Sequence, residues 1–220
     1  MRVHELLSFD LPLLSLEDSG DKVLSLMSEY RVFHLPLVHR DNYLALISED
    51  DILDWDTPEQ PLSLAEFLHF RPSISLHAHP LEAIKIVKDY NLSILPVLDE
   101  HNHFAGMLSQ EKLFQYLANN NAVNEEGGIL LLSMESRNYS MSEIARICES
   151  NDVSILLMSM RSLDDNGMIE ITLKVNKKDL QALKATFERY SYTITQSYAV
   201  DTHLDDLKSN FDMLMHMINM

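Results

Sequence analysis

The chain has 220 residues, 46% of them hydrophobic, with 17 Lys and Arg against 34 Asp and Glu, for a formal net charge of −17. Size and apolar content suffice for one large or two small globular cores, whereas the charge repels nucleic acid and anionic membrane surfaces, so neither is an expected partner. With the single cysteine Cys148, no signal-peptide plan and no apolar run near the ~20 residues that span a bilayer, the composition points to the cytoplasm.

The first organised feature along the chain is an internal repeat. Residues 23–38 lie over residues 83–98, with Tyr30 on Tyr90, Leu35 on Leu95 and Pro36 on Pro96, at an offset of 60. Residues 43–48 lie over 104–109 at an offset of 61, which places one inserted residue in the intervening turn. Each copy is predicted as a short strand, an amphipathic helix, a strand entered through Leu-Pro, a tight turn, another strand and a second helix. Val23, Met27 and Tyr30 share one helical face in the first copy, and Leu81, Ile84, Val87 and Tyr90 do so in the second. His79-Pro80-Leu81-Glu82 is the predicted start of the second copy's helix, since proline at the first helical position leaves no N–H orphaned. Residues 54–70, with Pro58 and Pro61, join the copies and carry a short helix around Leu62, Ala65 and Leu68. Residues 119–128 are polar, glycine-ended and without period, so a domain boundary is expected near residue 126.

Residues 128–134 form a nearly continuous apolar run, expected as a central strand. Ser140 and Glu143 have capping-box spacing, and Met141, Ile144, Ala145 and Cys148 follow on one helical face. A strand over 153–160 leads through Asp165-Asn166-Gly167, a strong hairpin signal, into alternating Ile169, Ile171, Leu173 and Val175. A helix after Asn176 aligns Leu180, Leu183, Phe187 and Tyr190, and residues 192–198 supply a fourth strand, for an order of βαββαβ. In the tail, Leu204, Leu207, Phe211, Leu214 and Ile218 step by three and four as a heptad seam, which predicts an amphipathic helix and a homodimer.

The repeats resemble CBS motifs, which fold as pairs. The resemblance rests on the apolar helices ending at Tyr30 and Tyr90, the Leu-Pro strands, and the turns at residues 45–51 and 106–112. It assigns copy one to about residues 9–56 and copy two to about 70–118. The 127–220 segment resembles an ACT domain, and CBS pair plus ACT is the plan of the acetoin-utilisation regulators. The expected fold class is thus α/β (α+β): a tandem CBS motif pair over 1–126, then a ferredoxin-like βαββαβ ACT-type domain with a C-terminal helix.

The family's turn reads Gly-x-x-Ser/Thr-x-x-Asp, and in nucleotide-binding members its hydroxyl and Asp bond a ribose. Copy one keeps Ser48 and Asp51, with Ala45 for Gly; copy two keeps Gly106 and Ser109 but has Lys112 for Asp. The resemblance therefore implies one site in copy one, with Ser48, Asp51, His34 and Arg71 as nucleotide-binding candidates and AMP, ADP, ATP or S-adenosylmethionine as ligand. It implies a regulatory protein that is not an enzyme, transmitting ligand binding through oligomer or partner contacts; the alternative is a ligand-free dimerisation scaffold. Each residue also has a structural reading: Ser48 and Asp51 as a helix cap, His34 as a buried histidine, Arg71 as a solvated one, Cys148 as core packing. His77, His79, His101 and His103 lack companion ligands, so no metal is expected, and no Ser-His-Asp order, Walker loop or dinucleotide fingerprint offers a catalytic constellation.

Overall fold

The computed structural model describes residues 2–163 and 167–198. The expected turn apex at Asn166, and the seam of Leu204, Leu207, Phe211, Leu214 and Ile218, lie outside them. The chain divides into two compact units, Met1–Leu117 and Ala118–Met220. The division falls ahead of the boundary expected near 126, because the polar segment is held by the second unit. There Lys174 Nζ donates to the Ala122 carbonyl and Lys178 pairs with Glu126 at 2.8 Å.

In the first unit, helix α1 (Gly20–Tyr30) is capped by Ser19 and followed by β1 (His34–His39), β2 (Asn42–Ser48) and α2 (Glu49–Leu53). The second copy supplies β3 (Ile74–Ser75), α3 (Pro80–Asp89), β4 (Ile94–Leu98), β5 (Phe104–Ser109) and α4 (Gln110–Asn120). The repeat extends to its irregularities. Both antiparallel pairs carry a β-bulge at the same step, Leu37/Val38 and Val97/Leu98. Both helices are followed by a left-handed residue, Arg31 at φ 55° and Asn91 at φ 51°, which turns the chain back toward its Leu-Pro strand.

Each copy's lead-in segment bonds to the other copy. The Ser8 N–H donates to the Met107 carbonyl at 2.8 Å, and the Leu46 N–H to the Phe70 carbonyl at 2.9 Å. The copies consequently share one core, with Leu35, Leu37 and Ile47 of the first and Leu95, Val97 and Leu108 of the second all fully buried.

Three expectations change. Tyr30 and Tyr90 are 40% and 58% exposed, since they end their helices beyond the last buried turn, and Leu81 is 56% exposed because α3 starts at Pro80 and buries Ala83 and Val87 instead. The linker helix is a single 3-10 turn at Leu62–Leu64 with Leu62 in the core.

The second unit runs β6 (Gly128–Glu135), α5 (Met141–Glu149), β7 (Ile155–Ser162), β8 (Met168–Val175), α6 (Gln181–Arg189) and β9 (Thr193–Tyr198). Its sheet order is β7-β8-β6-β9, antiparallel throughout, the ferredoxin-like βαββαβ arrangement. Leu130, Leu132, Ile144, Ile147, Ile171, Leu173, Leu183 and Phe187 make its core. Strand β6 is buried on alternate residues only, so its apolar run packs one face rather than two. A Cβ at Gly127, where φ is +153°, would lie 1.7 Å from the Val175 carbonyl oxygen, so only glycine lets β6 enter beside β8. The expected capping box at Ser140 is half formed. Its hydroxyl accepts from the Glu143 N–H at 3.3 Å, but the Glu143 carboxylate accepts from Tyr192 Oη at 2.9 Å instead of reaching back. Cys148 is buried, and burial followed by neighbouring Glu149 pushes its thiol up to about 11.

Candidate functional site

Strand β2 ends at Ser48, whose extended backbone (φ −94°, ψ 162°) turns the chain into α2. Its hydroxyl donates to Asp51 Oδ2 at 2.6 Å, its N–H donates to the same oxygen at 2.8 Å, and the Asp51 N–H donates to Ser48 Oγ at 3.1 Å. This is a complete reciprocal capping box. It occupies only one oxygen of the carboxylate: Oδ1 of Asp51 accepts no hydrogen bond among the described residues. Capping and ligand binding are therefore compatible roles for one side chain.

His34 opens β1 beside this turn. Its Nδ1 accepts from the Ser93 N–H at 3.2 Å and lies 3.1 Å from Ser93 Oγ, which in turn accepts from the Phe33 N–H at 3.0 Å. With the Nδ1 lone pair used, the neutral ring carries its proton on Nε2. Burial holds the His34 pKa below the ordinary histidine value, with Asp51 and Asp50 pulling it partly back. The neutral imidazole ties the two copies together by accepting from Ser93, which stands 60 residues beyond Phe33 in the repeat, and keeps its Nε2–H as a donor.

These residues line a cleft of about 540 Å³. Copy one contributes Phe33, His34, Ser48, Glu49, Asp50 and Asp51; Phe70, Tyr90, Asn91, Ser93 and Gln110 close the opposite side. Phe33 is 61% exposed, and Phe70 and Tyr90 meet edge to face with centroids 5.7 Å apart. The cleft thus presents three aromatic surfaces, a carboxylate oxygen and an imidazole donor. Of the four candidates, Ser48, Asp51 and His34 come together. Arg71 is exposed and stands outside the lining, where its charge acts on Tyr43, whose hydroxyl donates to the Pro72 carbonyl at 3.0 Å. The aromatic wall has no local sequence signature beyond the repeat-aligned tyrosines, of which Tyr90 lines this cleft and Tyr30 the repeat-related one.

A second cleft of about 500 Å³ lies at the repeat-related position, lined among others by Ser8, Asp10, Tyr30, Arg31, Ser109 and Lys112. The Lys112 N–H donates to Ser109 Oγ at 3.2 Å, but a lysine side chain returns no bond, so that cap is one-sided. The described residues of the second unit hold a further pocket of about 550 Å³ near Glu135, Glu143, Tyr190 and Tyr192. Among the described residues no helix is long and apolar enough to cross a membrane.

Residues 3–57 and 69–119 each match the CBS domain. Solved structures similar to this chain include a CBS domain pair/ACT domain protein from Thermotoga maritima, at 18% identity over 54% of this chain and 98% of that one, TM-score 0.47. Another is CBSX2 in complex with AMP, at 17% identity over 54% of this chain and 96% of that one, TM-score 0.47. A third is the CBS domain of a bacterial CNNM/CorC family Mg2+ transporter in complex with ATP, at 17% identity over 54% and 87%, TM-score 0.45.

Proposed function

We propose that this chain, which carries a pair of CBS domains over residues 3–57 and 69–119, is a non-catalytic cytoplasmic regulator that senses an adenine nucleotide or adenosyl ligand in the cleft at Ser48 and Asp51. One observation carries the reading: the uncommitted Asp51 Oδ1 shares a cleft with the exposed rings of Phe33, Phe70 and Tyr90. A purine stacks on those rings, the ribose diol donates to Asp51, and His34 Nε2–H donates to a ring nitrogen or sugar oxygen. Arg71, exposed and outside the lining, takes no part in the site.

Regulation follows from who builds the wall. Phe33, His34 and Asp51 come from one copy and Tyr90 and Ser93 from the other, so a ligand spanning the cleft favours one arrangement of the pair, provided its affinity differs between arrangements. A homodimer or an unidentified protein target receives that bias.

The test is thermal unfolding of the full chain with AMP, ADP, ATP and S-adenosylmethionine. A ligand that binds only the folded state stabilises it by about 2.7 kcal/mol at 100-fold excess over Kd. A raised melting temperature with at least one of the four is the expected result; unchanged melting with all four at millimolar concentration would favour the ligand-free scaffold.

A further inference from the structure

Resting on the reading above, we infer that the Ser48–Asp51 cleft selects its ligand by charge: it takes an adenosyl compound without net negative charge, a sulfonium or a neutral nucleoside, and turns polyphosphates away. The cleft's lining holds three carboxylates, Glu49, Asp50 and Asp51, and no lysine or arginine. The side chains of Glu49 and Asp50 make no hydrogen bond or ion pair among the described residues, so their field is not spent on a neighbouring cation. His34, the one basic group in the wall, is held neutral by burial. Arg71 lies outside the lining, on the far side of Phe70 in the chain.

A phosphate chain leaving a ribose anchored at Asp51 begins within the reach of all three carboxylates. At separations of several ångströms near a protein surface, each pair of like charges opposes binding by about 1 kcal/mol or more, roughly a fivefold to tenfold loss of affinity per interaction before salt screening. A sulfonium or ammonium at the same place gains by the same amount. The whole-chain charge of −17 reinforces the local field at low ionic strength. The repeat-related cleft provides the internal control, because Arg31 and Lys112 there offset Asp10 and Glu111 and leave its lining without a net local charge.

Displacement of radiolabelled adenosine from the full chain, in metal-free buffer of low ionic strength, reports the shared cleft without interference from anions bound elsewhere. S-adenosylmethionine should compete at least tenfold more tightly than ATP, with AMP between them, and 0.5 M salt should narrow that gap. A chain carrying both Glu49→Gln and Asp50→Asn should bring ATP to within about threefold of S-adenosylmethionine, each affinity read relative to that for adenosine. ATP competing as tightly as S-adenosylmethionine in the unaltered protein would overturn the inference, as would an undiminished gap in the variant. If adenosine, S-adenosylmethionine, AMP and ATP all fail to bind, the adenosyl reading itself falls and this inference with it; if all four bind equally, only the charge selection falls.

Discussion

The two strand-to-helix turns of the repeat occupy equivalent positions and have diverged in one residue that matters. At Ser48 the fourth position is Asp51, which closes the capping box and still offers a free oxygen to the cleft. At Ser109 the fourth position is Lys112, so the hydroxyl caps alone and the cleft gains a cation. One substitution therefore changes helix capping, hydrogen-bond polarity and local charge at once. His34 adds to the contrast, since Ile94, fully buried, stands at the repeat-related place and brings no titratable group.

The largest expected effect is on binding. Asp51→Ala removes a charge-assisted acceptor worth roughly 1.5–3 kcal/mol, so adenosyl affinity should fall by about tenfold to a hundredfold or more in titration calorimetry. Lys112→Ala should leave it nearly unchanged. Equal losses in the two variants would erase the distinction between the clefts.

A middle-sized effect concerns the caps. Ser48→Ala removes both hydrogen bonds of the hydroxyl, from the Asp51 N–H and to Asp51 Oδ2, and should lower unfolding free energy in urea by about 1–2 kcal/mol, whereas Ser109→Ala removes the single bond from the Lys112 N–H and should cost about 0.5–1 kcal/mol. If Ser109 proves the costlier loss, the difference in capping geometry has no energetic weight.

The smallest is a pH dependence confined to the first cleft. Folded His34 has a pKa depressed below that of the unfolded chain, near 6.5, so acidification protonates the unfolded state first. Stability contributed by neutral His34 is complete above about pH 6.5 and declines as pH falls below it. Melting temperature should drop between pH 7.5 and 5.5, and His34→Gln, which accepts from Ser93 N–H without titrating, should drop less. An identical decline in the variant would assign the acid sensitivity elsewhere.

Much of the first unit was legible because a repeat states the same fold twice. The matched Leu-Pro strands, the helix start at Pro80 and the Ser48 cap all depend on residues within four positions of one another, where local geometry decides the outcome. Hairpin and helix order in the second unit were readable for the same reason, while the division at Leu117/Ala118 was not, because it depends on where Lys174 and Lys178 reach.

By itself, the sequence determined the duplication, the βαββαβ order, the loss of an acidic residue at Lys112 and the pairing of Ser48 with Asp51, since each is written in short-range spacing or in comparison of one copy with the other. Only the tertiary structure decided that Phe33, Phe70 and Tyr90 line one cleft, that Arg71 stands outside its lining, that His34 is neutral, and that Asp51 keeps one oxygen free. Those properties arise from contacts between segments about sixty residues apart, such as Phe33 and His34 with Ser93. Spacing along a chain carries no information about such contacts until the shared core brings the segments together.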